Sequence, residues 1–320
     1  MCKAYSAVWV ITAAATVLGA GAVYGQNYPV KPVRIVTSAV GGGNDFLARL
    51  LAQGLTGPLG QPVVVDNRAG GVIPGEVVSK SLPDGYTLLV AGGAFSIGPL
   101  LQETPYDVVK DFAPIVLTGM SPSILIVHPS LPVRSVKELI ALAKARPGEL
   151  NYGSANTGGS AHLAAELFKS IAGVNIVRVA YKGNGPALTA LLGGEVQLMF
   201  PNTPSAAPHV KSGKMRALAV TGSQPSALVP GLPTVSASGL PGYEAISIDA
   251  VYAPAKTPAA IIGRLNQEIA RLLNRPDTKE KLLSVGVEVV ASSPEQLAAA
   301  IKSEIALWSK VIKDAGITAN

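Results

Sequence analysis

Short β-branched runs alternate along the chain with stretches whose apolar residues recur every three or four positions. The first run is Val33-Arg34-Ile35-Val36-Thr37. It ends at Gly41-Gly42-Gly43 and feeds Phe46-Leu47-Ala48-Arg49-Leu50-Leu51, which has helical spacing and stops near Gly57-Pro58. A second apolar run covers 62–65, a short helix near 75–81 is closed by Pro83-Asp84-Gly85, and a third run at 86–90 leads into Gly92-Gly93. Strand, helix, strand at this spacing predicts parallel βαβ units, whose strand-end loops gather in one crevice. The glycine turns at 41–43 and 92–93 are therefore expected to face the same space.

A second series begins at Ser123-Ile124-Leu125-Ile126-Val127. Ser135-Val136-Lys137-Glu138 reads as a capping box opening a helix that Arg146-Pro147-Gly148 ends. Leu150-Asn151-Tyr152-Gly153-Ser154 then runs through a glycine loop into a helix over 161–168, a second strand–loop–helix unit. Strands are expected at 176–181, 196–200 and 215–220, with helices near 186–192 and 204–211 between them. After a Pro/Gly/Ser-rich stretch at 229–242, a strand covers 245–252. Thr257-Pro258 reads as a cap and first position of a helix carrying Ile261, Leu265, Ile269 and Leu272 on one face. The last helix opens at Ser293-Pro294-Glu295-Gln296, with Leu297, Ile301, Ile305, Trp308 and Ile312 as its buried stripe. These C-terminal helices lack a strand series of their own and are expected to pack on the first domain. The chain then crosses between domains twice, near 124–127 and 246–251, which makes a hinge. The pattern predicts an α/β fold of two lobes around a cleft, the architecture of a solute receptor. Residues 26–125 with 247–320 form lobe 1, and 126–246 form lobe 2.

Composition adds an exported character. Lys3, an uncharged segment at 7–18 and the small residues up to Gly25 read as a secretory signal peptide over 1–25, cleaved after Gly25 or, as the alternative, Ala22. The apolar core is shorter than the ~20 residues a membrane-spanning helix needs. Cys2, the one cysteine, falls in that leader, so the mature chain has no thiol for a disulfide or a thiolate metal site. The net charge of +6 comes from scattered basic residues with few aromatics, which argues against nucleic acid.

The glycine turn before the first helix suits an anion, because a helix start presents unpaired N–H groups at its positive end. It is not a dinucleotide fingerprint, since Phe46 stands where the last glycine would fall, and no lysine follows to make a P-loop. Enzyme chemistry finds little support. Ser160 misses the nucleophile-elbow pattern because His162 replaces its final glycine, and His162 in a first helical turn reads as a packing histidine. His128 and His209 lack metal-ligand spacing, and no cofactor or metal is expected. Lys182, at a strand end, reads either as a ligand salt bridge or as a solvated lysine. Asp45 reads as structural, pairing with N–H groups of the first turn.

Several ordered segments share a family pattern: Tyr28-Pro29-Val30-Lys31-Pro32, the 41–45 loop, Gly60-Gln61-Pro62-Val63-Val64-Val65, Asn67-Arg68, Pro83-Asp84-Gly85-Tyr86-Thr87-Leu88, Asp107-Val108-Val109-Lys110-Asp111-Phe112-Ala113-Pro114, Tyr181-Lys182-Gly183 and Asp314-Ala315-Gly316. With them the chain resembles the Bug family, the extracytoplasmic solute receptors of tripartite tricarboxylate transporters. The resemblance implies a type II-like Venus flytrap in the periplasm. It would bind a small carboxylate and deliver it, as a monomer, to a membrane permease. It further implies a cradle at Val40, Gly41, Gly42, Gly43 and Asn44, with Gly93 and Ser96 on the same cleft. Opposite them would stand Ser154, Asn156, Thr157, Gly158, Gly159 and Ser160, with Phe200, Pro201 and Asn202. The family often has aspartate at the place of Pro201 and an aromatic pair at Ile248-Asp249. A secreted hydrolase and a receptor for a sensor kinase are the alternative readings.

Overall fold

The computed structural model of the chain describes residues 28–155 and 157–318. The leader expected over 1–25 and the expected site residue Asn156 lie outside the described residues.

The first sheet begins with β1 (Val33–Thr37), α1 (Gly43–Leu59), β2 (Val63–Asn67), α2 (Ile73–Ser79), β3 (Thr87–Gly92) and α3 (Gly93–Leu101), followed by the long β4 (Phe112–Pro122). β1 pairs in parallel with both β2 and β3, as the βαβ pattern requires. The second sheet follows as β5 (Ile124–Val127), α4 (Val136–Ala145), β6 (Asn151–Ser154), α5 (Ser160–Ala172), β7 (Val177–Ala180), α6 (Asn184–Leu192), β8 (Leu198–Met199), α7 (Thr203–Lys211) and β9 (Arg216–Val220). The chain then returns as β10 (Ile246–Pro254), α8 (Ala259–Leu273), α9 (Pro276–Ser284), β11 (Glu288–Val289) and α10 (Pro294–Asp314). The strand orders are β11-β4-β10-β3-β1-β2 and β7-β6-β8-β5-β9.

Each sheet is covered on both faces, giving two α/β lobes. Leu47, Leu51 and Leu55 of α1 and Leu265 and Ile269 of α8 cover one face of the first sheet, and Val78, Phe95, Leu297 and Ile301 cover the other. In the second lobe, Leu139, Leu163 and Phe168 pack on one face, and Ala187, Leu191 and Ala206 on the other.

The two strands linking the lobes, β4 and β10, run antiparallel side by side from Ile246↔Pro122 to Pro254↔Phe112. Where the chain changes sheet, Thr221 ties the crossings together. Its Oγ1 accepts from the Ser123 N–H at 2.8 Å, and its carbonyl accepts from the Ala245 N–H at 2.9 Å.

Three elements differ from the sequence expectation. β4 has no counterpart in the apolar pattern, because Pro114, Thr118, Gly119 and Pro122 interrupt the alternation, yet it is buried along much of its length. Thr257 does not cap α8. Pro258 holds the cap position, and the Thr257 hydroxyl donates backward to the Pro254 carbonyl at 2.7 Å. The capping box at Ser135 is half realised: Ser135 Oγ accepts from the Glu138 N–H, while the Glu138 carboxylate takes the N–H of Arg134. The box at Ser293 and Gln296 forms completely.

The C-terminal helices also divide differently. α8 packs on the first sheet, but α10 serves both lobes. Leu297 and Ile301 join the cluster of Phe95 and Tyr252, whereas Trp308, Val311 and Ile312 join that of Leu163, Leu167 and Phe168. Glu304 stands between these two groups, in phase with the buried stripe, and Ile305 is only partly buried.

Candidate functional site

The turn from β1 into α1 is shaped by one glycine and one carboxylate. Gly41 has φ +88°, a left-handed conformation that favours glycine, and its N–H donates to Asp45 Oδ2 at 2.9 Å. Asp45 Oδ1 accepts from Asn67 Nδ2 at 2.8 Å and pairs with Arg49 Nε at 2.9 Å. The Arg49 hydrogen bond, followed by that of Gly41, holds the Asp45 carboxyl down at about 2. Asp45 thus fixes the turn, as expected, and takes up the Gly41 donor itself. The N–H groups from Gly42 to Asp45 have no acceptor within α1, so the start of the helix presents free donors at its positive end. Val40 projects into solvent beside it. Asn44 joins the two glycine turns: with its amide nitrogen facing β10, it donates to Asp249 Oδ1 at 3.2 Å and accepts from the Gly92 N–H at 3.3 Å.

The second-lobe loop between β6 and α5 is held from three sides. Arg178 of β7 donates to Ser154 Oγ at 2.8 Å, the Ala155 carbonyl at 3.0 Å and Thr157 Oγ1 at 3.1 Å. His162 Nδ1 accepts from the Gly158 N–H at 3.0 Å. Burial, with the Arg178 charge second, lowers the His162 pKa to about 4, so the ring is neutral at neutral pH and works as an acceptor inside the loop. Gly158 has φ +72°, and a Cβ there would overlap the side chain of Leu101, which reaches over from α3 of the first lobe. The lobes touch at this glycine.

The starts of α3 and α5 meet across a cavity of about 190 Å³. Gly93 and Ala94 line it from one lobe and Gly158, Gly159 and Ser160 from the other, with Ser247, Glu304 and Trp308 closing it. One acid, Glu304, lines this cavity, and a second, Asp249, lies two residues along β10 from the lining residue Ser247. Asp249 on β10 is pushed up to about 7 by burial. Glu304 on α10 is likewise pushed up to about 7 by burial, against the Ser96 hydrogen bond and with the Asp249 charge adding to the rise.

The remaining expected residues are spread more widely. Ser96 is buried, its hydroxyl between the Gly93 carbonyl at 3.0 Å and Glu304 Oε2 at 2.6 Å. Phe200 packs in the second-lobe core against Phe168, and Pro201 is buried, its carbonyl accepting from the Ile124 N–H. Asn202 is exposed at the start of α7 and accepts from the Ser205 hydroxyl. Lys182 is exposed in the turn between β7 and α6. Of the expected residues, Gly93, Gly158, Gly159 and Ser160 line the cavity; Val40–Asn44 do not, and their turn is tied through Asn44 to Gly92, the neighbour of Gly93.

Arg178, Ser247 and Glu304 were not expected here. A signal for Glu304 was present: it lies three residues after Ile301 and four before Trp308, a charge on the buried face of its helix.

Residues 47–317 match the family model described as the tripartite tricarboxylate transporter family receptor. The chain belongs to this family. Among its relatives is BugT of Bordetella pertussis, 39% identical over 303 residues that make up 93% of each protein. The solved structure of R. palustris Rpa4515 with adipate is 38% identical, with a TM-score of 0.74 over 91% of this chain and 99% of its own. MatC from Rhodopseudomonas palustris with bound malate is 30% identical, with a TM-score of 0.70 over 89% of this chain and 100% of its own. The two-lobed fold is the fold of these tripartite tricarboxylate transporter receptors.

Proposed function

We propose that this receptor captures a small carboxylate between its lobes in the periplasm and hands it, chemically unchanged, to the membrane permease of a tripartite transporter. The observation that carries the reading is the approach of two helix starts, from different lobes, to one cavity. Their N–H groups supply positive potential for an anion without a charged side chain. Adipate and malate in the structures of two relatives support a carboxylate as the ligand. On this reading the 1–25 leader is removed on export, and lobe 1 (26–125 with 247–320) closes on lobe 2 (126–246). The ligand is gripped by the Val40–Asn44 turn and Gly93 on one side. The 154–160 loop grips it on the other, with Lys182 and Asn202 at the rim. The family resemblance also assigns contacts to Phe200 and Pro201, and position in the chain puts Ser96 on the same cleft. A ligand that touches both lobes favours the closed state by its differential affinity.

A thermal-shift screen of mono-, di- and tricarboxylates on unfolded and refolded protein tests the reading. A binding acid should stabilise the fold by about 2.7 kcal/mol at one hundred times its dissociation constant. Small-angle scattering should then show a smaller radius of gyration, and chromatography should return the acid intact. Stabilisation by sugars or cations alone, or consumption of the acid, overturns it. Arg178→Ala should weaken binding by about tenfold or more, because the loop loses charge-assisted hydrogen bonds worth roughly 1.5–3 kcal/mol each. Calorimetry on the folded variant measures this.

A further inference from the structure

Glu304 brings an unused hydrogen-bonding atom to the junction of the lobes. Its Oε2 accepts from Ser96 Oγ at 2.6 Å, while Oε1 is fully buried and has no hydrogen-bond partner among the described residues. A buried carboxylate oxygen left in this state is costly unless something else donates to it. The space beside it is kept open by a glycine. A Cβ on Gly93 would stand 3.5 Å from Glu304 Oε1 and 3.5 Å from Ser247 Oγ. Without that Cβ, a slot lies between carboxylate and hydroxyl on the cavity where the two helix starts meet. A second cavity of about 230 Å³, lined by Met120, Ile248 and Leu307, shares Ile246, Glu304 and Trp308 with the first. The Glu304 carboxyl group is thus a polar element in a largely apolar wall between two spaces.

We infer that Glu304 is a specificity-determining residue whose Oε1 accepts a hydrogen bond from the bound molecule. The receptor then prefers an amino- or hydroxy-substituted carboxylate over the same skeleton with hydrogen or a second carboxylate in that place. The inference deepens the carboxylate-receptor reading and rests on it. The helix starts donate to the ligand carboxylate, and Glu304 offers an acceptor close by. Above about pH 7, where Glu304 and Asp249 are ionised, a second carboxylate in the slot would meet charges of its own sign. The titratable groups around Glu304 are Asp249 and Tyr252 on β10 and Glu244, which lines the second cavity with it, and the neighbouring hydroxyls are Ser96 on α3 and Ser247 on β10. Because burial lifts the Glu304 pKa to about 7, an arriving ammonium group would ionise it and a proton would leave to solvent. A hydroxyl would bond to Oε1 without that release.

The test is calorimetry at pH 6 and pH 8 with 2-aminobutyrate, 2-hydroxybutyrate, butyrate and ethylmalonate, each in two buffers of different ionisation enthalpy. At pH 8 the first two should bind about tenfold or more tighter than the last two, and at pH 6 protons should be released for the amine alone. In Glu304→Gln the advantage of the amine should fall about tenfold and its proton release should vanish, while the hydroxy acid keeps its affinity. Gly93→Ala places a methyl in the slot at ordinary contact distance and should remove the advantage of both substituted acids with the fold intact. If carboxylates bind with the same ranking in the parent protein and both variants, or if ethylmalonate binds tightest at pH 8, the role of Glu304 is overturned and the receptor reading stands. If no carboxylate binds any of the proteins, the receptor reading fails and this inference with it.

Discussion

Trp308→Ala is expected to cost about 3–5 kcal/mol of stability, the range for removing a large aromatic side chain from a core. The residue is only 4% exposed and packs in the second-lobe cluster, though its helix starts on the first lobe. It also lines both cavities at the junction, so truncation merges them, and the surrounding backbone has little scope to collapse into the space. The consequence reaches beyond stability. Leu297→Ala removes packing from the first-lobe cluster alone, whereas Trp308→Ala loosens the grip of α10 on the second lobe. Urea denaturation should therefore show one cooperative transition for the parent protein and for Leu297→Ala. For Trp308→Ala it should show a broadened or split transition. A loss below about 1 kcal/mol with a single sharp transition would contradict this account of α10.

The second large effect is a pH dependence of opposite sign to ordinary acid denaturation. Burial raises Asp249 and Glu304 to about 7, far above their values in an unfolded chain. A carboxyl group with a raised folded-state pKa contributes stability that is complete below its unfolded pKa near 4 and is lost as pH rises through about 7. One pKa unit is worth about 1.4 kcal/mol, so the two carboxyl groups together carry an effect of several kcal/mol. Asp45 acts in the other direction. Its pKa is held down at about 2, so its contribution is present above pH 4 and is lost as pH falls toward 2. Ligand-free protein should therefore be most stable near pH 4 and lose stability as pH rises from there through about 7, as denaturation at a series of pH values would show. Asp249→Asn should flatten that upper slope, and an unchanged slope would remove Asp249 as its source.

The parts of this fold legible in the sequence are those fixed by local chemistry. The run from Val33 to Asp45 declares a strand, a left-handed glycine and a helix start within thirteen residues. Ser293 and Gln296 declare a cap by their spacing alone. β4 stayed hidden because Pro114, Thr118, Gly119 and Pro122 break its alternation, and its burial comes from α8 and α10, which lie far along the chain and cover the two sheet faces. Thr257 has the right identity for a cap, but the Pro254 carbonyl three residues back competes for its hydroxyl and wins. The site divides in the same way. Glycine turns were readable as anion-binding geometry, while the Arg178 clamp on the 154–157 loop depends on the parallel pairing of β6 with β7, which no local pattern encodes. Phe200 shows the limit of carrying positions across a family, since its ring here packs in the core against Phe168.

Trp308 has one more consequence. The chain contains two tryptophans, and the other, Trp9, lies in the segment read as the export leader. If that segment is cleaved, as the proposed export requires, the protein carries a single indole fluorophore, placed where both lobes, the crossing strand and the candidate ligand cavity converge. Movement of one lobe against the other changes the packing and polarity around this ring, and so do an occupant of the cavity and ionisation of Glu304. Intrinsic emission thus reports on occupancy and closure without a label, and Trp308→Phe supplies the dark control.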